Sequence, residues 1–348
     1  MSFLHVIAPY SGSSSRAMIG LMKLVTQRLP KEHSLLVLGD ADEAAVFRRQ
    51  GLTVLGSVQG TANNSRTLGT RLRRAVEAVS SKKDYLIAWG WTSAVAASGI
   101  DCLHKTIGYV DAIDTASTPT IELDCVIPTT WRCGERIQKN TSSSPEVTEP
   151  LVGIDAKTLV VESSSVFYGL DISPHAPMVA IVNERGKWQE IVDHVVQMNA
   201  LGVRLMIVVP ANYFYYSELH FALEEHGVSD SLRQVSGRLR LIDVVHTATY
   251  IWAPTSTPNV NLGGVLDLLS ASSSGVPVAA AATHAITGVP IIGNRIAWVS
   301  SISDLTAWVL ALLDNLSNTE DQVLEIAARV RAIASPAKFV EGLQLRFQ

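Results

Sequence analysis

The sequence predicts an α/β protein made of two Rossmann-like, doubly wound domains that face a cleft. Three observations carry that expectation. Short, continuously apolar runs alternate with longer amphipathic segments, the pattern of a parallel sheet covered by helices on both faces. A polar stretch at Lys139–Pro150, KNTSSSPEVTEP, breaks the alternation, which then restarts. The length, 348 residues, is about twice that of a typical single domain. The expected division is residues 1–150 and residues 151–348.

In the first domain the apolar runs at residues 5–9, 34–40, 52–58, 85–91, 106–111 and 124–129 read as strands. Between the first four, Arg16–Leu29, Asp42–Arg49 and Asn64–Ser80 read as helices. In the second domain the strands fall at 177–183, 203–210, 237–243, 248–254 and 276–282. Helices fit Trp188–Leu201, Ser217–Glu225, Gly264–Ser272, Asp304–Leu316 and Glu320–Ile333, and a short tail follows Ser335-Pro336. The opening MSFLHVIAPYSGSSS lacks a leading Lys or Arg and reads as strand and loop rather than as a signal peptide. The apolar stretch from Gly275 contains Pro277, His284 and Pro290, which argues against a bilayer-spanning helix.

Composition narrows the function. Apolar residues make up 47% and charged residues 17%, enough for a packed core and incompatible with disorder. The formal charge of −4 supplies no global basic field, so nucleic acid is not an expected partner. Cys102, Cys125 and Cys133 form no C-x-x-C pair, which argues against a disulfide framework or zinc site and for a reducing, cytoplasmic compartment. No metal is expected, since the scattered histidines form no H-x-x-x-H. There is no G-x-G-x-x-G, no P-loop and no G-x-S-x-G elbow.

Three segments are candidates for chemistry. The first β-to-α turn, Pro9–Arg16, is rich in small residues, and Gly12 and Ser13 would let backbone N–H groups approach a phosphate. Ser13 reads equally well as a plain helix cap. The loop Asn183-Glu184-Arg185-Gly186-Lys187-Trp188 follows the first strand of the second domain. Its Arg185 and Lys187 could neutralise a diphosphate or simply be solvated. Arg66, Arg71, Arg73, Arg74, Lys82 and Lys83, with only Glu77 among them, form a basic helical stretch. That stretch suits a peripheral contact with anionic lipid, or a solvated face.

The order of further segments carries a resemblance. Pro150–Asp155 (PLVGID), Leu170-Asp171 with Ala176–Asn183 (APMVAIVN), Lys187, Ala253–Ser256 (APTS), Gly275–Val278 (GVPV) and Asp304–Asp314 follow one another along the second half. In this order they resemble the C-terminal domain of nucleotide-sugar glycosyltransferases with the GT-B fold, especially the large retaining family four. Trp89–Ser93 and Cys125–Arg132 sit where that family has its "HAH" strand and "VSE" turn. The resemblance departs at the site itself. Two glutamates eight positions apart precede the family's G-x-P-V, and here Leu262 and Ser270 stand there, with Asn261 and Asp267 the nearest polar substitutes. Asn183 replaces the arginine of "FVGR", and the first-domain histidines are missing, with Asp111 near one of their positions.

The resemblance implies transfer of a sugar from a nucleoside-diphosphate sugar to an acceptor, without cofactor or metal. It implies a donor site at Gly12, Ser13, Asn183, Arg185, Lys187, Asn261, Gly263, Gly264 and Ser270, with Asp111 and Asp267 as catalytic carboxylates. It also implies a C-terminal helix that crosses back to the first domain. The missing glutamates keep a second expectation open, a catalytically inactive binding protein on the same fold.

Overall fold

The computed structural model describes residues 2–8, 13–59, 65–79, 84–101, 103–110, 121–140, 145–153, 163–182, 186–235, 241–254, 269, 272–281, 296–314 and 316–347. The first half runs β1 (Ser2–Ile7), α1 (Ser13–Arg28), β2 (Glu32–Val37), α2 (Ala41–Arg49), β3 (Val54–Ser57), α3 (Ser65–Val79), β4 (Tyr85–Trp89), α4 (Trp91–Ala97), β5 (Lys105–Val110), β6 (Cys125–Pro128), α5 (Trp131–Asn140) and β7 (Glu146–Val147). The second runs α6 (Ser163–Leu170), β8 (Met178–Ile181), α7 (Trp188–Ala200), β9 (Met206–Val209), α8 (Tyr216–Glu225), β10 (Leu232–Gln234), α9 (Leu241–Val245), β11 (Tyr250–Ala253), β12 (Val278–Ala281), β13 (Ala297–Val299), α10 (Ile302–Asp314), α11 (Leu316–Ile333) and α12 (Pro336–Leu345).

The strands form two sheets, ordered β3-β2-β1-β4-β5-β6-β7 and β10-β9-β8-β11-β12-β13. Every described pairing is parallel. Each sheet is wound outward in both directions from its first strand, so the strand order reverses between β1 and β4 and between β8 and β11. Both faces are buried, as the continuous apolar strands require. Along β1, Phe3 and Ile7 enter one core while Leu4 and Val6 enter the other. In β8, Met178 and Ala180 face one side of the second sheet and Val179 and Ile181 the other.

Local chemistry fixes the ends of several elements. Asp40 caps α2 in a capping box: its Oδ1 accepts from the Glu43 N–H at 2.8 Å, and its own N–H donates to Glu43 Oε2 at 2.8 Å. Arg233 on β10 donates from Nε to the Leu170 carbonyl (2.8 Å) and from Nη2 to that of Asp171 (3.2 Å). Asp171 takes φ +53°, the left-handed stop of α6, and the guanidinium holds that turn against β10.

Several elements differ from the sequence expectation. The strand expected at 237–243 is absent from its described part: β10 lies at Leu232–Gln234, and Leu241–Val245 is helical. The alternating Leu/Arg pattern suited a strand, but pairing of Leu232 with Ile207 of β9 uses the preceding apolar residues. The polar break contributes Glu146–Val147 as an edge strand on β6. The tail after Ser335-Pro336 is helix α12. Pro336 occupies its first turn, where no intrahelical N–H is needed, and Ser335 Oγ accepts from the Lys338 N–H at 3.4 Å.

The chain end joins the two sheets. Val330 and Ala334 of the α11 region lie in the core of the second sheet, and Arg331 donates twice to the Ser273 carbonyl, at 2.9 and 2.6 Å. The next helix begins two residues after Ala334, and its Phe339, Val340 and Leu343 lie in the core of the first sheet. Phe347 packs tilted against Phe3 and edge-on to Tyr85. The final helix therefore crosses back to the first sheet. The connection at Leu151–Gly153 interlocks with it: a methyl group on Gly153 would lie 2.7 Å from Phe339, and one on Gly342 would lie 2.7 Å from Leu151. The Tyr109 hydroxyl anchors this connection by donating to the Leu151 carbonyl at 2.8 Å.

Each half of the chain also has a histidine hydrogen-bond relay packed against its sheet. In the first, Trp89 Nε1–H donates to His5 Nδ1 (3.0 Å), which leaves the proton of neutral His5 on Nε2. Nε2 donates to His33 Nδ1 (2.9 Å), and His33 Nε2 donates to the Leu29 carbonyl (3.1 Å). In the second, Thr306 Oγ1 donates to Gln197 Oε1 (3.1 Å), so it accepts from His194 Nδ1 (3.1 Å). His194 Nε2 then accepts from the Tyr250 hydroxyl at 2.7 Å. Burial pulls the pKa of His5 down to about 3, helped by His33, and that of His194 down to about 4.

Candidate functional site

In an open parallel sheet, the crevice at the carboxyl ends of the strands where their order reverses is open to a ligand. In the second sheet that crevice lies between β8 and β11. The chain leaving β8 reaches Gly186 and Lys187 before entering α7, and the chain leaving β11 reaches Pro254. These two exits touch: a methyl group on Gly186 would overlap the Pro254 ring, so only glycine fits.

A third loop completes the contact. Tyr213, between β9 and α8, is buried, and its hydroxyl donates to the Gly186 carbonyl at 2.7 Å. Burial first, then Tyr215, Glu190 and Glu218, raises its ionisation well above the ordinary phenol range, so the hydroxyl keeps its proton and stays a donor.

Lys187 is the N-cap residue of α7, in an extended conformation, and its side chain makes no capping bond. The helix behind it is fixed by Ile191, Val192, Val195 and Met198, which bury one face against the sheet. The ammonium group is half exposed and lies 3.9 Å from Glu190 Oε1, an exposed pair of small intrinsic stability. A cation at a helix N-terminus adds to the positive end of the helix dipole rather than opposing it. The ammonium group and the helix dipole are thus both positive at the α7 N-terminus, with the Glu190 carboxylate partly offsetting them.

At the corresponding crevice of the first sheet, α1 begins at Ser13. The β4 exit turns at Gly90, with φ +85°, and its N–H donates to the Tyr109 carbonyl at 2.8 Å. Trp89 is buried and belongs to the histidine relay rather than to the cleft. Of the expected site residues, the structure places Lys187 and Ser13, one at each crevice. Gly12, Asp111, Asn183, Arg185, Asn261, Gly263, Gly264, Asp267 and Ser270 lie outside the described residues, as does most of the helix expected at Gly264–Ser272. Sequence reasoning missed Tyr213 and the interlock of Gly186 with Pro254, because both are contacts between distant loops.

On α3, Leu68, Leu72 and Val76 are buried, and Arg71, Arg73 and Arg74 are exposed. Arg71 donates to the Gln59 carbonyl at 2.7 Å and Arg73 to the Gly99 carbonyl, so two of these cations also fasten neighbouring loops. Lys82 and Lys83 lie outside the described residues. Among the described residues no helix is long and apolar enough to cross a membrane. No group of three or more His, Cys, Asp or Glu is placed there to hold a metal ion.

No protein-family model matches the chain, and no curated protein matches its sequence. Solved structures do match along its full length. HepE from Anabaena, solved in complex with UDP, is similar with a TM-score of 0.77 at 10% identity, covering 99% of both chains. A glycosyltransferase from Rickettsia africae has a TM-score of 0.77 at 8% identity, covering 99% of this chain and 97% of that one. The sucrose-phosphate synthase of Thermosynechococcus elongatus has a TM-score of 0.73 at 10% identity, covering 99% and 98%. HepE has also been solved with UDP-glucose. The chain has the GT-B fold of glycosyltransferases.

Proposed function

We propose that this chain is a glycosyltransferase that moves a sugar from a nucleoside-diphosphate sugar to an acceptor. The observation that carries this reading is Lys187, a cation at the N-cap position of α7 whose side chain makes no capping bond, in the switch-point crevice of a GT-B fold whose neighbours include a UDP complex. The diphosphate would rest against the Lys187 ammonium group and the first N–H groups of α7. As the glycosidic bond breaks, negative charge grows on the leaving diphosphate, and fixed positive charge stabilises it more than it stabilises the intact donor. Arg185, Asn183, Asn261, Gly263, Gly264 and Ser270 would complete the donor site, with Gly12 and Ser13 reaching from the first domain. Asp111 and Asp267 are assigned as the catalytic carboxylates. No metal or organic cofactor enters the proposed step. Residues 1–150 would take the acceptor and residues 151–348 the donor.

A thermal-shift panel of nucleoside diphosphates tests this reading. One diphosphate at a hundred times its Kd should stabilise the fold by about 2.7 kcal/mol. A flat response across the panel, with an active GT-B enzyme as control, would contradict it. A diphosphate that binds without any sugar transfer would favour the inactive binding protein, the reading that the leucine and serine at 262 and 270 keep in view.

The protein is also proposed to act in the cytoplasm in peripheral contact with a membrane through Arg66, Arg71, Arg73, Arg74, Lys82 and Lys83. Pelleting with anionic vesicles should then fall steeply as salt rises, because screening weakens attraction between exposed charges. Equal pelleting with neutral vesicles would contradict the electrostatic contact.

A further inference from the structure

We propose that Tyr213 is a positioning residue for the donor diphosphate, acting through the Gly186 carbonyl on Lys187; this rests on the function proposed above. Three separate exits from the second sheet converge at Gly186. Pro254 closes one side and leaves no space for a side chain. The Tyr213 hydroxyl donates to its carbonyl from the β9–α8 loop at 2.7 Å. Lys187 follows directly, with its backbone at the N-cap position of α7.

That hydrogen bond has a particular consequence. The Gly186 carbonyl belongs to the peptide whose N–H is that of Lys187. Fixing the oxygen fixes the plane of this peptide, and with it the direction of the Lys187 amide and of the lysine stem. The rest of α7 is held by apolar packing, but its entry depends on a glycine, which supplies no side chain of its own to hold the turn. The tyrosine provides the missing restraint. Its ring is held in place: Tyr213 is buried and its centroid lies 6.4 Å from that of Tyr215, edge to face. A preorganised cation and amide bind an anion without first losing conformational freedom, so loosening them weakens binding while removing no contact to the ligand.

Two measurements test this. Tyr213→Phe keeps the ring and removes the donor. Calorimetric titration with UDP is made on the native chain, on Tyr213→Phe, on Lys187→Ala and on the double variant. Tyr213→Phe is expected to weaken UDP about three- to tenfold when Lys187 is present, the range of one neutral hydrogen bond. In the Lys187→Ala background the same change should cost less than about twofold, because the group that it positions is gone. Equal losses in both backgrounds would make Tyr213 a general structural residue and overturn the proposal. Normal affinity in Tyr213→Phe beside weakened affinity in Lys187→Ala would also overturn it while leaving the diphosphate site intact. Failure of the native chain to bind any diphosphate of the thermal-shift panel would overturn both. The second measurement needs no variant: UDP should slow amide hydrogen exchange across residues 186–190 of the native chain. Unchanged exchange there, with UDP bound, would overturn the positioning role.

Discussion

His5 and His194 are each expected to cost the fold about 2 kcal/mol of stability, read by urea unfolding, when the pH is lowered from 7 to 5. The two relays set the sign. A histidine in the unfolded chain titrates near 6.5, whereas His5 titrates at about 3 and His194 at about 4 in the folded chain. Both folded values are depressed, so the native state favours neutral imidazole. Below pH 6.5 the unfolded chain takes up protons that the folded chain refuses, and stability falls by about 1.4 kcal/mol per pH unit for each histidine. The loss continues until the folded imidazole itself titrates, near pH 4 for His194 and near pH 3 for His5. The geometry explains the refusal. A second proton on His5 would set an N–H against the Trp89 N–H, and one on His194 would displace the Tyr250 donor. Urea titrations at pH 7, 6 and 5 measure the slope. His5→Gln and His194→Gln, whatever their own stability, should each flatten it by about one proton; an unchanged slope would show that these histidines titrate normally. Between pH 6 and 5 most carboxylates remain ionised, so the histidines dominate the window.

Phe339→Ala is expected to cost about 3–5 kcal/mol, the range for truncating a buried phenylalanine. Its ring is fully buried, sits edge-on to Tyr109 at a centroid distance of 5.8 Å, and fills the space left by Gly153. The cavity would open where the connection between the sheets and the returning helix interlock. Because α12 reaches the first sheet only after α11 has packed on the second, the variant should also uncouple the two. Denaturant unfolding followed at probes in each half should change from one shared transition to two. A loss under about 1 kcal/mol, or coincident transitions, would show that the interlock contributes little.

The fold was largely legible because its signals are local. The MVAI of β8 and the YLIAW of β4 are continuous apolar runs, and both became buried parallel strands. The same logic failed where two elements offered similar patterns. Residues 237–243 alternate as a strand would, yet β9 pairs with Leu232–Gln234, and the next apolar residues bury Val244 and Val245 from a helix. Pro336 read as a stop because proline ends helices, whereas here it begins one. His5 passed for part of an apolar run, since only the packing of β1 against β2 and β4 brings His33 and Trp89 to it. Lys187 was visible as a cation on a strand-end loop. Tyr213 was not, because its partner is a backbone carbonyl 27 residues away in sequence, and nothing in either segment marks the pair.

The most direct measurement is a calorimetric titration of UDP into the native chain and into Lys187→Ala. Lys187 is half exposed, so its removal should change stability by no more than about 0.5 kcal/mol. One hydrogen bond to a charged group is worth about 1.5–3 kcal/mol, so affinity should fall by roughly ten- to a hundredfold. Native binding with that loss is the expected result. UDP binding of equal strength in the two proteins would contradict the placement of the donor diphosphate at the α7 N-terminus, and no binding by the native chain would contradict use of a UDP-sugar as the donor.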